Sequence, residues 1–137
     1  MDEHARRIVP LLDGAARAAE CRGRALALAN QALDPPDDPV ARLWQLATTL
    51  REHRGDGHTA ALIACGVSGL ASLLMASAAG ASDPGKLQAA RGWSDAAWAE
   101  AADELRAKGW MTDDGALTVD GALVRLDVER RTDAAAW

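Results

Sequence analysis

The feature that most constrains this chain is a long segment without charge. No Asp, Glu, Lys or Arg occurs between Thr59 and Ala81, and a polar turn, LREHRGDGH, precedes that segment. We predict a central buried helix over residues 56–79. On a helical wheel, one arc of this helix carries the large apolar residues Leu62, Ile63, Val67, Leu70, Leu73 and Leu74. The opposite arc carries mostly small residues, which indicate either close helix packing or room for a ligand.

The uncharged segment is also long enough to cross a bilayer core of ~30 Å. Its composition argues against that reading, because Ala, Ser and Gly dominate and neither a Trp or Tyr belt nor a basic cluster flanks it. The N-terminal sequence MDEHARRIVPLL lacks the apolar region of a signal peptide. We therefore expect a cytoplasmic protein with no membrane partner, in which Cys21 and Cys65 stay reduced.

The length of 137 residues predicts one domain with an appended arm. We assign residues 1–33 to an N-terminal helical arm. A proline-rich stretch follows and interrupts helix, because a residue before proline is pushed out of the α region. The main domain is predicted over residues 38–133. In it, a helix is expected to end at Gly55, so that Asp56 caps the central helix.

Signals for further elements follow the central helix. Ser94 is placed to cap a helix that Gly109 ends in the left-handed conformation. Asp114-Gly115 is the strongest short hairpin signal in the chain. A last helix is expected from Val119. Since the chain shows neither repeats nor long strand-like alternation, the predicted class is mainly α.

Two sets of motifs resemble a known family. The pattern L-x-x-K-G-W-x-x-x-D-G-A-L-T-x-x-G-A-L, from Leu105 to Leu123, resembles the end of a MarR-like winged-helix domain. The segments LREHRGDGHTAAL and RGWSDAAW are similar to actinobacterial helix-turn-helix proteins that carry H-R-G-D-G-H, of which this chain resembles the C-terminal half. The resemblance covers about residues 38–133. It implies a winged helix-turn-helix with a two-stranded wing and flanking N- and C-terminal helices, and a homodimer formed through the terminal helices.

The resemblance also implies that a helix over residues 94–108 enters a DNA major groove. The charges argue against this, because the helix is rich in acids and carries no Arg, Lys, Asn or Gln near its start to read bases. The formal net charge of −5 and the pI of about 5.1 do not indicate a nucleic-acid partner either. DNA therefore stays an open partner. The candidate DNA contacts are Arg91, Arg106, Lys108 and Arg125.

The polar turn before the central helix offers several chemistries. His53, Asp56 and His58 together could bind a metal, although their spacing is not that of a zinc site. Helix capping and the helix dipole explain the same residues without a ligand. His58 and Cys65 share a helix face, but ~10 Å along the axis separates them. We assign no catalytic residue, metal or cofactor, and we leave open whether the chain is an enzyme.

The MarR-like resemblance implies a ligand between the dimer helices and the winged helix. We expect an aromatic or anionic small molecule at the mouth of the central helix. The predicted function is a small-molecule-responsive winged-helix regulator. The alternative is an enzyme or ligand-sequestering protein of specialised metabolism that keeps the fold and does not bind DNA. The candidate ligand contacts are Trp44, His53, Arg54, Asp56, His58, Cys65, Ser68, Trp93 and Trp98.

Overall fold

A computed structural model describes residues 2–136 of the chain. They form seven helices: α1 (Asp2–Ala18), α2 (Ala25–Gln31), α3 (Pro39–Ala64), α4 (Gly69–Ala78), α5 (Pro84–Arg91), α6 (Asp95–Ala107) and α7 (Val119–Ala136). The chain divides into two compact units. One consists of Met1–His58 with Thr132–Trp137, and the other of Thr59–Arg131. Both α3 and α7 contribute residues to each unit.

The first unit is built on small buried side chains. Ala5, Ala16 and Ala27 are all nearly inaccessible to solvent, which lets neighbouring helix backbones approach closely. Asp13 of α1 accepts hydrogen bonds from Arg17 and from Arg42 of α3. The hydrogen bond from Arg17, with a further one from Arg42, lowers the pKa of this carboxyl below its ordinary value. An ionic contact therefore joins α1 to α3.

The second unit has a larger apolar core. Helix α4 packs against both α5 and α6. The segment after α6 and the middle of α7 complete the core. Burial of these branched and unbranched apolar side chains is the main source of stability in a unit of this size. Its largest buried members are Leu62, Val67, Leu74, Met75, Leu105, Met111 and Val128.

The central helix predicted over residues 56–79 is interrupted. Gly66 adopts a φ of +65°, which ends the helical path and which glycine tolerates without a steric penalty. The hydroxyl of Ser68 then accepts a hydrogen bond from the amide of Ala71 and caps α4. A helical wheel cannot reveal such a break, because small apolar residues continue through it. Ile63, which the wheel placed on the core face, is 75% exposed.

The predicted helix end at Gly55 is also wrong, since α3 runs on without interruption to Ala64. Within the part of the chain that the structure describes, no single helix is long and apolar enough to cross a membrane. Helices α3 and α4 pass that test of length and composition only as a pair, which is bent by 95°.

The predicted two-stranded wing is wrong, and with it the winged form of the fold class. Among residues 2–136, the hairpin signal at Asp114-Gly115 yields one isolated antiparallel bridge, between Met111 and Leu117. Residues 108–118 separate α6 from α7, and strand pairing on the two sides of the turn is limited to that bridge. The hydroxyl of Thr118 accepts a hydrogen bond from the amide of Gly121 and caps the start of α7. Apart from this bridge and the turns, the described residues are helical.

We expect Gly121→Ala to destabilise the protein strongly. A Cβ at Gly121 would lie 2.0 Å from the carbonyl oxygen of Trp110, which accepts the amide of Thr118 at 3.1 Å. Because this oxygen belongs to the backbone and is held in place, the cost should reach at least about 3 kcal/mol. Urea unfolding monitored by circular dichroism measures it.

Gly14→Ala is the matched control. Gly14 is an exposed residue inside α1, and a Cβ added there would have no other side chain or distant backbone within 4 Å. Alanine should stabilise that helix by about 0.5–1 kcal/mol. Equal effects of the two substitutions would contradict the assigned contact at Gly121.

Candidate functional site

Helices α5 and α6 and the turn between them have the element order and turn length of a helix-turn-helix. Gly92 ends α5 in the left-handed conformation, with a φ of +70°. The hydroxyl of Ser94 accepts the amide of Ala97 at 3.2 Å and caps α6. Two helices joined by a three-residue turn that contains glycine are typical of this motif. The caps predicted at Ser94 and Gly109 are confirmed.

The helix-turn-helix is fixed from both sides. Leu105 of α6 is fully buried, and Trp98 packs against the same core. On the polar side, the amide nitrogen of Gln88 in α5 donates to the carboxylate of Asp95 in α6 at 2.7 Å. Since α4 contacts both helices, the second unit holds α6 as a helix with one buried and one exposed face.

The exposed face of α6 is unsuited to reading DNA bases. Reading bases in a major groove requires side chains such as Arg, Lys, Asn and Gln. This face instead presents alanines and acids, which supply no hydrogen-bond donor and repel phosphate. Its exposed residues are Asp95, Ala96, Ala99, Glu100, Asp103 and Ala107.

Two of the four predicted DNA contacts are engaged within the protein. The guanidinium of Arg106 pairs with Asp103 at 2.7 Å. The ammonium of Lys108 pairs with Glu104 at 2.6 Å, donates to a backbone carbonyl and lies 5.0 Å from the centre of a tryptophan ring. Among the described residues, Arg91 and Arg125 make no ion pair. These two remain available to phosphates.

The H-R-G-D-G-H sequence lies inside α3, and we refer to residues 53–58 as the knot segment. The carboxylate of Asp56 accepts the amides of Leu26 and Ala27, at 2.9 and 3.0 Å. Asp56 therefore caps α2 from a distant part of the chain, not the central helix as predicted. The ring of His53 lies 3.1 Å from the carbonyl oxygen of Glu20 and forms a hydrogen bond with it.

Arg24, just before α2, also binds the knot segment. Its guanidinium donates to the carbonyl oxygens of His53 in α3 and of Ala135 in α7. A Cβ at Gly57 would lie 2.7 Å from Arg24 Nη1 and 3.3 Å from the Cβ of Ala135. Glycine at position 57 thus leaves room for the guanidinium of Arg24, which a side chain there would displace.

The remaining polar residues of the knot segment contact the end of α7. His58 Nδ1 shares a hydrogen bond of 2.9 Å with the hydroxyl of the fully buried Thr132. Arg54 pairs with Asp133 at 3.1 Å. In the described part of the chain, no group of three His, Cys, Asp or Glu side chains is arranged to hold a metal ion. The contacts of the knot segment given above join α3 to α2, to α7 and to the chain after α1.

Neither cysteine is activated as a nucleophile. Burial raises the pKa of the Cys65 thiol, and the hydrogen bond that it donates to Asp127 at 3.6 Å raises it further. Burial likewise raises the pKa of Cys21. Because the thiolate is the reactive form, both side chains are poor nucleophiles at neutral pH.

Comparison with known proteins supports the assignment of the motif. The whole chain, residues 1–137, matches a family described as a helix-turn-helix family. The chain belongs to this helix-turn-helix family. No curated protein and no solved structure matches the chain. The match includes the N-terminal helices, which lie outside residues 38–133, the part covered by the resemblance to MarR-like proteins.

The ligand contacts predicted for this helix-turn-helix protein fall in both units. Trp44 is 77% exposed and Trp93 is 43% exposed, whereas Trp98 is half-buried. His53 lines a wide hollow of about 630 Å³ in the first unit, and Trp98 lines a groove in the second. Ser68 serves as the cap of α4. Whether any of the nine residues contacts a ligand stays a prediction.

Sequence reasoning missed the partners of the knot segment. Arg24, Thr132 and Ala135 lie far from it in the sequence, and no local pattern connects them with it. The one usable signal was the pair of glycines around Asp56, since glycine inside a helix costs stability unless another group needs the space.

We expect Asp56→Ala to lower the free energy of unfolding by about 2 kcal/mol. The change removes a charged acceptor from two amide groups at the start of α2. Asp56→Asn keeps an acceptor oxygen and should lose less than half as much. Thermal unfolding of both variants measures the difference. Full stability of the alanine variant would rule out the capping role.

Proposed function

We propose that this chain is a MarR-like regulator of the helix-turn-helix class that responds to a small molecule in the cytoplasm of an actinobacterium. The observation that carries the proposal is the complete α5–turn–α6 motif, capped at both helices and supported by α4. Family membership over the full chain supports the same class. The ligand is proposed to be aromatic or anionic, in keeping with the tryptophans and arginines of the chain.

The DNA contact is proposed to be made to phosphates instead of bases. The exposed face of α6 offers no donor for base readout. Lys86, Arg91 and Arg125 are the cations of the second unit that we propose for phosphate binding; like Arg130, none of them is used in an ion pair among the described residues. Contacts of this kind position a protein on DNA without selecting a sequence.

A gel-shift titration at several salt concentrations tests this proposal. We expect weak binding with little sequence preference, and a slope of log K against log salt of about −3 per chain, since each phosphate contact contributes about −0.9. Arg91→Ala combined with Arg125→Ala should reduce the magnitude of the slope by about 2. Arg51→Ala is the control, because this exposed arginine of α3 pairs with Glu52.

A second candidate function has its own support. The acids on the exposed face of α6 favour an enzyme or a ligand-sequestering protein that keeps the helix-turn-helix fold and does not bind DNA. The absence of any shift, even at low salt, would establish this alternative over the regulator. Strong selectivity for one DNA sequence would contradict both the phosphate model and the alternative.

The proposal includes a homodimer formed through the terminal helices. Val119, Leu123 and Leu126 of α7 are 77%, 58% and 52% exposed. Their spacing of four and three residues matches the apolar seam of paired helices. Ile8 and Leu11 of α1 are exposed apolar residues as well. A second copy of the chain would remove these side chains from water.

We expect Leu123→Glu to convert the dimer into a monomer, because a carboxylate in an apolar seam loses its hydration without gaining a partner. Sedimentation velocity measures the change in mass. Ala90→Glu adds the same charge at an exposed position of α5 and should leave the dimer intact. A wild-type protein that is monomeric at high micromolar concentration would contradict the proposed dimer.

A further inference from the structure

A groove in the second unit lies between α4, α5, α6 and the turn that follows α6. Its volume is about 470 Å³, within the range of small-molecule sites in proteins. Leu74 of α4, Trp98 of α6 and Met111 after α6 provide apolar walls. An aromatic indole beside aliphatic and thioether side chains is a surface that favours a flat apolar ligand.

Two side chains of this groove carry polar atoms without a partner. The hydroxyl oxygen of Ser77 and the Nε of Arg106 are both shielded from solvent, and neither has a hydrogen-bond partner in the described part of the chain. Buried polar atoms are almost always satisfied, and each unsatisfied one costs about 1–3 kcal/mol. Both residues line the same groove, so they offer two donors to an acceptor that enters it.

Both side chains line the groove and each retains a donor. Ser77 needs only rotation about a single side-chain torsion. Arg106 pairs with Asp103 through Nη1, and the Asp103 side chain is 76% exposed. The Nε–H of Arg106 makes no hydrogen bond in the described part of the chain. An acceptor oxygen between the two side chains would receive one hydrogen bond from the serine hydroxyl and one from the guanidinium.

The charges around the groove select against an anion. Asp95 and Asp114 line its rim, and the charge of Arg106 is already offset by Asp103. A hydrogen bond from Thr112, followed by one from the backbone, lowers the pKa of Asp114, which is therefore ionised at neutral pH. An anionic ligand would meet unbalanced negative charge, whereas an uncharged one would not.

We propose that this groove binds an uncharged aromatic carbonyl compound, with the ring against Trp98 and the carbonyl oxygen accepting from Ser77 and Arg106. The inference rests on the proposed function and deepens it. It narrows the aromatic or anionic ligand to an uncharged aromatic one and assigns it to this groove. A bound ligand would contact α4 and α6 at once. Binding of the ligand in the groove would therefore affect the position of α6 and of its exposed face.

Calorimetric titration with 9-fluorenone tests the site. This compound is a flat, uncharged aromatic ketone, and we expect saturable binding of one molecule per chain. Fluorene lacks the carbonyl oxygen, and 9-fluorenone-4-carboxylate adds a negative charge. Both should bind at least about tenfold more weakly, a difference of about 1.4 kcal/mol. Absence of saturable 9-fluorenone binding overturns the proposal, as does equal or tighter binding of either comparison compound.

Ser77→Ala, Arg106→Lys and Trp98→Leu should each weaken 9-fluorenone binding by at least about tenfold. Arg106→Lys keeps the charge opposite Asp103 and removes the Nε–H. Ser72→Ala is the matched control, because Ser72 lies on the same helix and already donates to the carbonyl of Gly69 at 2.8 Å. Unchanged affinity in Ser77→Ala or Arg106→Lys overturns the proposal.

A stability measurement separates a ligand contact from a structural role. Without ligand, Ser77→Ala should melt at the same temperature as the wild type or higher, because it removes an unsatisfied hydroxyl. A clear loss of stability would show that the hydroxyl has a structural partner and would overturn the proposal. Since no DNA is present in these experiments, the groove and the proposed regulatory function can fail independently.

Discussion

The close approach of Arg24 to α3 is the constraint on which the first unit depends. At this point one guanidinium satisfies carbonyl groups of α3 and α7, while Asp56 of α3 satisfies amide groups at the start of α2. The charged groups of Arg24 and Asp56 thus bind helix backbones and do not pair with each other. Gly57 permits the arrangement because it has no Cβ. The most distinctive motif of the sequence thus holds helices together, and its histidines and arginine act as links between them.

The second unit has the helices of a helix-turn-helix without the side chains that read bases. Its α5–turn–α6 motif has the caps, the turn and the buried anchors of a helix-turn-helix, yet the face that reads bases in such motifs is made of alanines and acids. A fold does not by itself specify a function, which depends on the side chains that the fold presents. In this chain the unsatisfied donors lie in the groove beside α6, which Trp98, Arg106 and Ser77 help to line.

Local signals predicted local structure well and longer-range structure poorly. The caps at Ser94 and Gly109 follow from single residues whose preferences act within one turn, and the structure confirms them. The break at Gly66 could not be predicted, because one glycine in an apolar run does not disturb the periodicity. The Asp114-Gly115 turn did form, but the residues on its two sides pair through one bridge and not as the strands that a hairpin signal implies.

The sequence by itself determined the helical class and, for α6, the caps and the acidic character, because these depend on each residue and its near neighbours. Tertiary structure alone decided that Asp56 caps α2 and that Ser77 and Arg106 line one groove. It also decided that the glycines of the knot segment lie inside a continuous helix. Such facts depend on which distant backbone comes near a side chain, and a pattern of residue types along the chain carries no record of that distance.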